Sequence, residues 1–334
     1  MTIAFFGELL LRLSPPGREL LLQTPKLEVH VGGAEANVAT GLACLGHKVR
    51  MISAVADNPL GRAAIGELRR RGVETSTIAV APGRMGLYFL TPGAGLRASE
   101  VVYDRAFSLF AERRANAWDW DALLEGATRL HLSGITPALG RNSAEAACAA
   151  AEAASIKGIP VSVDGNYRAK LWEAWDSNPH AVLNRLIGHA DVLFGNHRDV
   201  SLLLERSFSG DGPDRRREAA EAAFSAFPKL QVIASTARHV VDAESHRVSA
   251  RVDMRDCNFQ TDEMLIAGIV DRIGAGDAFA AGVLHGLIES GIAEATARAG
   301  LALTGLKHSL AGDASLFTRA DLAWFDEGGL DVRR

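Results

Sequence analysis

The sequence predicts an α/β fold in which a mostly parallel sheet is flanked by helices on both faces. Short apolar runs alternate with longer helical segments along the chain, which is the pattern of repeated βαβ units. Hydrophobic residues make up 48% of the 334 residues, which is ample for a buried core. The length suits one large α/β domain or two moderate ones.

The predicted elements follow one another in the order that this fold requires. Strands are predicted where short, mainly apolar runs stand between turns, at residues 2–8, 50–55, 129–133, 160–164, 191–195 and 231–235. The last of these is followed by β-rich sequence to about residue 252. Helices are predicted where longer segments carry start or stop signals, at residues 59–71, 142–157, about 276–290 and 293–308. Asn142 is predicted to cap the second helix, because Glu145 follows three positions later. Residues 209–213 are predicted to form a surface loop.

Two segments do not fit the βα repeat. Residues 10–31 and 86–105 contain shorter runs in which apolar and polar residues alternate, as in the Leu-Glu-Val-His-Val run at 27–31. Alternation with a period of two is typical of half-buried strands. Both segments are therefore predicted to be β hairpins added to the core.

Composition limits the class of protein. The net charge of −4 argues against nucleic acid or an anionic membrane surface as the main partner. Cys44, Cys148 and Cys257 lack the spacing of a metal or redox site and are interpreted as free thiols. The sequence has neither a signal peptide nor an apolar run of 18 residues, so we expect a cytoplasmic protein with no membrane partner.

The most informative stretch is residues 268–282, which read GIVDRIGAGDAFAAG. The residues at 274–276 form a glycine-rich turn into a helix, where backbone N–H groups and the helix dipole can hold an anion. Asp277 would repel an anion, but it is well placed to take a proton from an alcohol that attacks a phosphoryl group. A simple helix cap and a dinucleotide site are the alternatives. The dinucleotide motif needs a third glycine where this chain has Phe279.

A second motif lies at residues 32–46, which read GGAEANVATGLACLG. Gly33, in a glycine pair, allows the backbone to approach a ligand closely, and Asn37 offers both a donor and an acceptor to a polyol. A tightly packed helix after a turn is the alternative interpretation. The two motifs in this order, about 240 residues apart, are much more specific than either motif alone.

The two motifs together resemble those of the PfkB, or ribokinase-like, family of carbohydrate kinases, and the resemblance spans essentially the whole chain. It implies ATP-dependent phosphorylation of a sugar hydroxyl. By this resemblance Asp277 is the catalytic base, and Gly274, Ala275 and Gly276 form the anion hole. One departure is Arg272, where many members of the family have Thr.

The resemblance also implies a division of the chain into a core and a lid. Residues 1–9, 32–85 and 106–334 would form the ribokinase-like α/β core, which binds nucleotide and substrate. The two predicted hairpins, residues 10–31 and 86–105, would form a small β lid over the sugar. A lid has a physical purpose, because phosphoryl transfer must exclude water to avoid hydrolysis of ATP.

Arginine and tyrosine residues favour an acidic sugar as the substrate. Arginine can bind a carboxylate through two parallel hydrogen bonds, although surface arginines are common without such a role. Residues 166–172 read NYRAKLW, and this pattern resembles the 2-keto-3-deoxygluconate kinase branch of the family, which typically has Pro at positions 165 and 169. By that resemblance the substrate contacts are Gly33, Tyr88, Tyr103, Arg105 and Arg168, in addition to Asn37. The implied reaction converts 2-dehydro-3-deoxy-D-gluconate and ATP to the 6-phosphate and ADP.

The nucleotide and metal sites are less regular than the family pattern. Asn196 and Ser235, with Gly274 and Gly276, are predicted to bind nucleotide, but no glycine-containing loop follows Ser235. Asp199 stands where the family has a glutamate that helps to hold Mg²⁺, and a helix-capping aspartate is the alternative. Residues 302–313 resemble the adenine edge and the monovalent-cation loop of the family, so K⁺ is a further candidate cofactor.

Other functions stay open at this point. A kinase of a neutral sugar, such as fructose or ribose, would use the same fold, and a non-catalytic sugar or nucleotide sensor is a third possibility. The sequence does not separate the gluco epimer of the keto-deoxy acid from its galacto epimer. A homo-oligomer is expected, because exposed edges of a lid sheet often pair between subunits.

Overall fold

The computed structural model describes residues 1–328, which form two β-sheets and the helices around them. The strands, in chain order, are β1 (Thr2–Phe6), β2 (Leu10–Ser14), β3 (Glu28–Gly32), β4 (Lys48–Ala56), β5 (Ile78–Ala81), β6 (Gly86–Thr91), β7 (Glu100–Asp104), β8 (Ala127–Ser133), β9 (Val161–Asp164), β10 (Val192–Phe194), β11 (Val232–Asp242), β12 (Ser245–Met254), β13 (Asn258–Gln260) and β14 (Met264–Ala267). The helices are α1 (Ala34–Cys44), α2 (Pro59–Arg70), α3 (Leu109–Glu112), α4 (Trp120–Leu123), α5 (Arg141–Ile156), α6 (Ala169–Trp172), α7 (Pro179–Ile187), α8 (His197–Leu204), α9 (Gly212–Ala226), α10 (Ala275–Glu289), α11 (Ala293–Lys307) and α12 (Arg319–Asp326). Within this part of the chain no helix has the length and apolar character needed to cross a bilayer.

The larger sheet confirms the predicted α/β architecture. Its strand order is β13-β12-β11-β10-β9-β8-β1-β4-β5, and β14 also pairs with β12. The strands from β11 to β5 in this order are parallel to one another. At one side of the sheet β12 is antiparallel to β11, and β13 and β14 are antiparallel to β12. Alternate residues of β1 enter different cores, since Phe5 packs in one hydrophobic cluster and Phe6 in the other. Helices therefore cover both faces of the sheet.

The smaller sheet is built from the two segments that were predicted to be hairpins. Its strand order is β3-β2-β6-β7, with β2 antiparallel to β3 and β6 antiparallel to β7. A parallel pairing of β2 with β6 joins the two hairpins into one sheet. Residues 10–31 and 86–105 thus supply nearly all of this sheet, and β3 extends one residue beyond them to Gly32. The proposal that this sheet acts as a lid domain stays a prediction.

Two local predictions were wrong for identifiable reasons, and a third needs its bounds extended. Asn142 does not cap α5: the helix begins one residue earlier, after Gly140, and the Asn142 side-chain amide donates to the Glu112 carbonyl oxygen. The strand predicted at 231–235 and the β-rich sequence predicted after it, to about residue 252, form the hairpin of β11 and β12. Residues 209–213 are not entirely loop, since α9 begins at Gly212 with proline in its first turn, where the missing N–H costs nothing.

Candidate active site

The two sequence motifs meet at the start of α10. The Asn37 side-chain amide donates a hydrogen bond to Asp277 Oδ2 at 2.7 Å, although the two residues are 240 positions apart. Asn37 lies in the first turn of α1, and Asp277 lies in the first turn of α10. Two helix N-termini therefore converge on one carboxylate, and their dipoles place partial positive charge around it. Asn37 was predicted to contact the sugar, and that role stays a prediction beside its observed bond to Asp277.

The turn before α10 depends on Gly274. Its φ of 77° lies in the left-handed region, and a Cβ there would overlap the Asp313 carbonyl oxygen, so only glycine fits. The Ala275 N–H donates to the Arg272 carbonyl oxygen at 3.3 Å. The next two N–H groups belong to Gly276 and Asp277, at helix positions where no intrahelical acceptor exists. A Cβ at Gly276 would meet open space, which indicates that this N–H borders a cleft.

Asp277 has the electrostatic properties of a proton acceptor at neutral pH. Burial raises the pKa of its carboxyl to about 7, and the negative charge of Asp313 acts in the same direction. The hydrogen bond from Asn37 and the cations of Arg168 and Lys307 oppose this rise in pKa. A base whose pKa lies near the working pH is ionised often enough to accept a proton and basic enough to hold it.

Three carboxylates gather at the carboxyl ends of the parallel strands. Asp164 ends β9, and burial together with the charges of Asp277 and Asp199 raises its pKa to about 7. Burial also raises the pKa of Asp199, while the nearby Arg168 guanidinium lowers the pKa of all three carboxyls. Asp164 was not predicted as a site residue. Its position at the end of a buried strand, before Gly165, is the signal that would have found it.

Asp199 caps α8 and also faces the carboxylate cluster. Its Oδ2 accepts the Asn196 N–H at 2.8 Å, while the Asn196 side chain accepts the Arg198 N–H, so the two residues form a capping box. A Cβ on Gly165 would lie 2.8 Å from Asp199 Oδ1, so the glycine leaves that oxygen accessible. The capping alternative is therefore present, and the metal role of Asp199 stays a prediction.

A cavity of about 590 Å³ lies beside the start of α10. Its size falls within the range of small-molecule sites. It is lined by three of the predicted nucleotide-binding residues, namely Asn196, Ser235 and Gly276. The segment after Ser235 belongs to the hairpin of β11 and β12, and it contributes Arg238 to the cavity wall. Burial and the neighbouring Arg272 cation lower the pKa of Arg238, because both oppose its positive charge. An anion such as phosphate would compensate the charge of these two cations.

One face of the smaller sheet carries a row of polar side chains. His30, Arg12, Tyr88 and Tyr103 are direct cross-strand neighbours on β3, β2, β6 and β7, so they share a face. Tyr88, a predicted substrate contact, donates through its hydroxyl to Asp313 Oδ2 at 2.6 Å. Tyr103 packs beside it and is half-buried.

Arg12 connects the smaller sheet to the segments on either side of α10 and α11, and it was not predicted. Its guanidinium pairs with Asp271 at 2.7 Å and with Asp313 at 3.0 Å, and its side chain is only 2% exposed. Asp271 opens the turn that leads to the catalytic motif. The smaller sheet is therefore tied directly to the segment that precedes α10. A charged residue between the apolar Leu11 and Leu13 was the available signal.

Arg105 is buried and pairs with a carboxylate of the core. Its Nε donates to Glu8 Oε2 at 2.7 Å, and Ser108 donates to the other oxygen of Glu8. Gly33 lies against the Glu8 backbone carbonyl and has a φ of 144°, so a side chain at this position is excluded. Arg168, by contrast, is exposed and donates to the Tyr167 carbonyl oxygen at 3.0 Å.

Glu35, in the first turn of α1, is a further buried acid that was not predicted. It is 1% exposed and accepts the Thr136 hydroxyl at 2.6 Å. Burial raises the pKa of Glu35 to about 8, so it is mostly protonated at neutral pH. It therefore adds no full negative charge beside Asp277. Its position within an otherwise small, apolar helix was the only signal in the sequence.

Comparisons with known proteins agree with this arrangement. The sequence profile of the pfkB family of carbohydrate kinases matches residues 2–315. The chain is 32% identical to 2-dehydro-3-deoxygalactonokinase of Haloferax volcanii, across 97% of this chain and 96% of that protein. It is 27% identical to 2-dehydro-3-deoxygluconokinase of Bacillus subtilis, across 88% of this chain and 86% of that protein. The crystal structure of 2-dehydro-3-deoxygluconokinase from Thermotoga maritima superimposes with a TM-score of 0.92 at 36% identity, covering 98% of this chain and 100% of that one.

Proposed function

Because this chain belongs to the pfkB family of carbohydrate kinases, we propose that it phosphorylates 2-dehydro-3-deoxygluconate on its primary hydroxyl, using ATP. The observation that carries this proposal is the Asp277 carboxyl at the start of α10. It has a pKa of about 7, a hydrogen bond from Asn37, and a neighbouring helix turn that can hold phosphate. Relatives that act on this sugar acid, or on its galacto epimer, supply the substrate class.

The chemistry needs one proton acceptor and one stabiliser of developing charge. The sugar hydroxyl oxygen attacks the γ-phosphorus of ATP, its proton passes to Asp277, and the bond to the β-phosphate oxygen breaks to release ADP. Asn37 holds Asp277 Oδ2, which leaves Oδ1 to receive the proton. The N–H groups at the start of α10 stabilise the charge that spreads over the transferred phosphoryl oxygens.

Within residues 1–328 the three carboxylates lie too far apart to hold a metal ion by themselves, so they fit only a cation that ATP also binds. Asp199 Oδ1 is accessible beside Gly165, and the negative charges of Asp199 and Asp277 already raise the pKa of Asp164. Mg²⁺ would be held mainly by the ATP phosphates, with Asp199 in its outer shell, because Mg²⁺ retains several waters. When bound, it neutralises negative charge on the phosphates. Arg238 and Arg272 add positive charge at the ATP cavity. K⁺ stays a prediction from the resemblance.

The preference for an acidic sugar rests on Arg105 and Arg168. Arg105 lies between the smaller sheet and the core, and Arg168 lies at the carboxyl end of β9 near three carboxylates. A substrate carboxylate would bridge cations from both parts of the protein and so favour closure over the correct substrate. Tyr103 adds an aromatic wall on the inner face of the smaller sheet.

A coupled assay of ADP release tests this function. The substrates are 2-dehydro-3-deoxygluconate, its galacto epimer, fructose and ribose, each at saturating Mg²⁺ and ATP. We expect kcat/KM to be highest for one of the two keto-deoxy acids, with the product phosphorylated at C6. A higher kcat/KM for fructose or ribose would support the neutral-sugar alternative. No turnover of any sugar, with retained ATP binding, would support the sensor.

The smaller sheet also supports the prediction of a homo-oligomer. Its outer face carries a cross-strand row of apolar residues, Val29, Leu13, Phe89 and Val102. Val29 is 55% exposed and Val102 is 49% exposed. An exposed apolar row between two edge strands is a surface that proteins normally cover. A second copy of this chain could cover the row with its own identical apolar row. Analytical ultracentrifugation would measure this self-association.

A further inference from the structure

The Lys307 side chain is buried completely at the end of α11, beside the candidate active site. Lys307 is 0% exposed, and its ammonium donates to the Leu310 carbonyl oxygen at 3.0 Å and to the Asp271 carbonyl oxygen at 3.4 Å. Within residues 1–328 no carboxylate oxygen lies within 4.0 Å of this ammonium. A buried lysine normally has a carboxylate partner, because removing its charge from water costs several kcal/mol. Here the ammonium has main-chain carbonyl oxygens as partners in place of a carboxylate.

The two carbonyls belong to segments that must stay together for the site to form. Asp271 opens the turn that leads to Asp277, and Leu310 lies in the loop that leads to Asp313. The Asp271 carboxylate holds the same two segments, since it accepts the Gly312 N–H at 3.1 Å and the Ile273 N–H at 2.9 Å. Lys307 therefore sits at the junction that fixes the turn before α10.

The surrounding charges favour a cation at this junction. Burial lowers the pKa of Lys307, and the carboxylates of Asp271, Asp313 and Asp277 oppose that effect. The interaction is mutual, since the Lys307 charge lowers the pKa of Asp277 and so helps to keep the base ionised. A cation at this position therefore acts on the Asp277 carboxylate through its charge.

We propose that the Lys307 ammonium replaces the monovalent cation predicted for this loop, so that the enzyme works without K⁺. K⁺ needs a set of converging oxygen atoms, and two carbonyl oxygens of this junction already accept hydrogen bonds from the ammonium. Lys307 also occupies the space between them. The residues present therefore do not fit a K⁺ ion. Lys307 acts as a positioning residue for the turn before α10, and this role rests on the proposed kinase function.

The first test needs only the unmodified protein. Sugar-acid kinase activity is measured in tetramethylammonium buffer, with and without added KCl at constant ionic strength. We expect kcat/KM to change by less than about twofold, which is smaller than the effect of losing one hydrogen bond to a charged group. Strong activation by K⁺ would overturn the proposal and leave the kinase function intact.

Two variants then separate the cation role from simple packing. Lys307→Ala removes the charge and opens space, so activity should fall by about 10- to 150-fold in tetramethylammonium buffer. KCl or NH₄Cl should restore much of it, because either ion can reach the exposed carbonyls. Lys307→Met removes the charge but fills the space, and its activity should stay low in both salts. Equal salt responses of the two variants would show that Lys307 only fills volume.

A second readout does not depend on turnover. K⁺ should raise the thermal unfolding temperature of Lys307→Ala but not that of the unmodified protein or of Lys307→Met. This measurement tests the proposal even if the sugar substrate has been misidentified. Lys229→Ala is the matched control. Lys229 also donates to a main-chain carbonyl, that of His189 at 2.9 Å, and it lies near Asp191. Asp191 precedes β10, so this lysine is at the amino ends of the strands, away from the candidate active site. Lys229→Ala should acquire no K⁺ dependence, and a response equal to that of Lys307→Ala would contradict the proposal.

Discussion

Replacing Asp277 with Asn is expected to lower activity and raise stability at the same time. The substitution keeps the shape of the side chain and its acceptor oxygen for Asn37, but it removes the proton acceptor. Loss of a general base typically costs about 10²–10⁴-fold in turnover, which corresponds to about 3–5 kcal/mol of transition-state stabilisation. ATP affinity should change little, because the N–H groups at the start of α10 are retained.

The gain in stability follows from the sign of the pKa shift. Burial raises the pKa of Asp277 from 3.8 to about 7 in the folded state, so the folded protein favours the protonated carboxyl. Its stabilising contribution is present below pH 4 and is lost as the pH rises through 7. The full shift corresponds to about 4 kcal/mol, and partial exposure reduces this to about 1–2 kcal/mol. Asp277→Asn should therefore unfold a few degrees higher at pH 8 and equally at pH 4.

Two measurements decide this prediction. The pH profile of kcat/KM should rise to a plateau above about pH 7 in the unmodified enzyme, because the ionised carboxylate is the active form. Thermal unfolding of both proteins at pH 4, 6 and 8 gives the stability difference. A variant that keeps more than about a tenth of the normal kcat would exclude Asp277 as the base. A variant less stable than the parent at pH 8 would refute the electrostatic argument.

Three further predictions concern the substrate, the metal and the turn. Arg168→Leu should lower kcat/KM on the sugar acid by about 10- to 150-fold and affect neutral sugars far less, because only the acid supplies a carboxylate partner; equal losses would contradict this. Asp199→Ala should raise the Mg²⁺ concentration for half-maximal rate and cost about 1 kcal/mol of stability through the lost cap, whereas Asp199→Asn keeps the cap and isolates the metal effect. Gly274→Ala should lower the free energy of unfolding in urea by about 1–3 kcal/mol, because φ is 77° and the methyl group overlaps the Asp313 carbonyl. Gly276→Ala is its control, since the added methyl group meets open space and should weaken ATP binding with little loss of stability.

The order of elements could be predicted because it depends on local patterns. The predicted core strands agree with β1, β4, β8, β9 and β10 to within a few residues, and the two alternating segments do form hairpins. The errors occur where distant partners decide the outcome. The β character of residues 236–252 was predicted, but the end of β11 at Asp242 is set by its pairing with β12. The start of α5 is set by Gly140 rather than by the capping signal at Asn142.

The turn into α10 could be predicted for the same reason, because the glycine turn and the following Asp277 lie within a few residues of each other. The roles of Arg12 and Lys307 could not be predicted, because each depends on a partner in another segment of the chain. Arg12 bonds to Asp271 and Asp313, more than 250 residues away. Lys307 bonds to main-chain carbonyl oxygens, which every residue carries, so no residue type in the sequence marks its partners. Their roles depend on the packed structure rather than on any motif.

The predicted ligands show what a motif identifies and what it leaves open. Asn37 was predicted as a ligand because its amide suits a polyol, and Tyr88 and Arg105 because of the resemblance to the sugar-acid kinase branch. Each is bonded to a carboxylate of the protein, on Asp277, Asp313 and Glu8 respectively. A buried polar group needs a partner in every state of the protein, so the same atoms that suit a substrate also suit these carboxylates. If these residues bind the substrate as predicted, binding exchanges one hydrogen-bond partner for another at each position. The net free energy of substrate binding then depends on the difference between two hydrogen-bonded states. Discrimination between sugars should therefore respond to small changes at Asp277, Asp313 and Glu8.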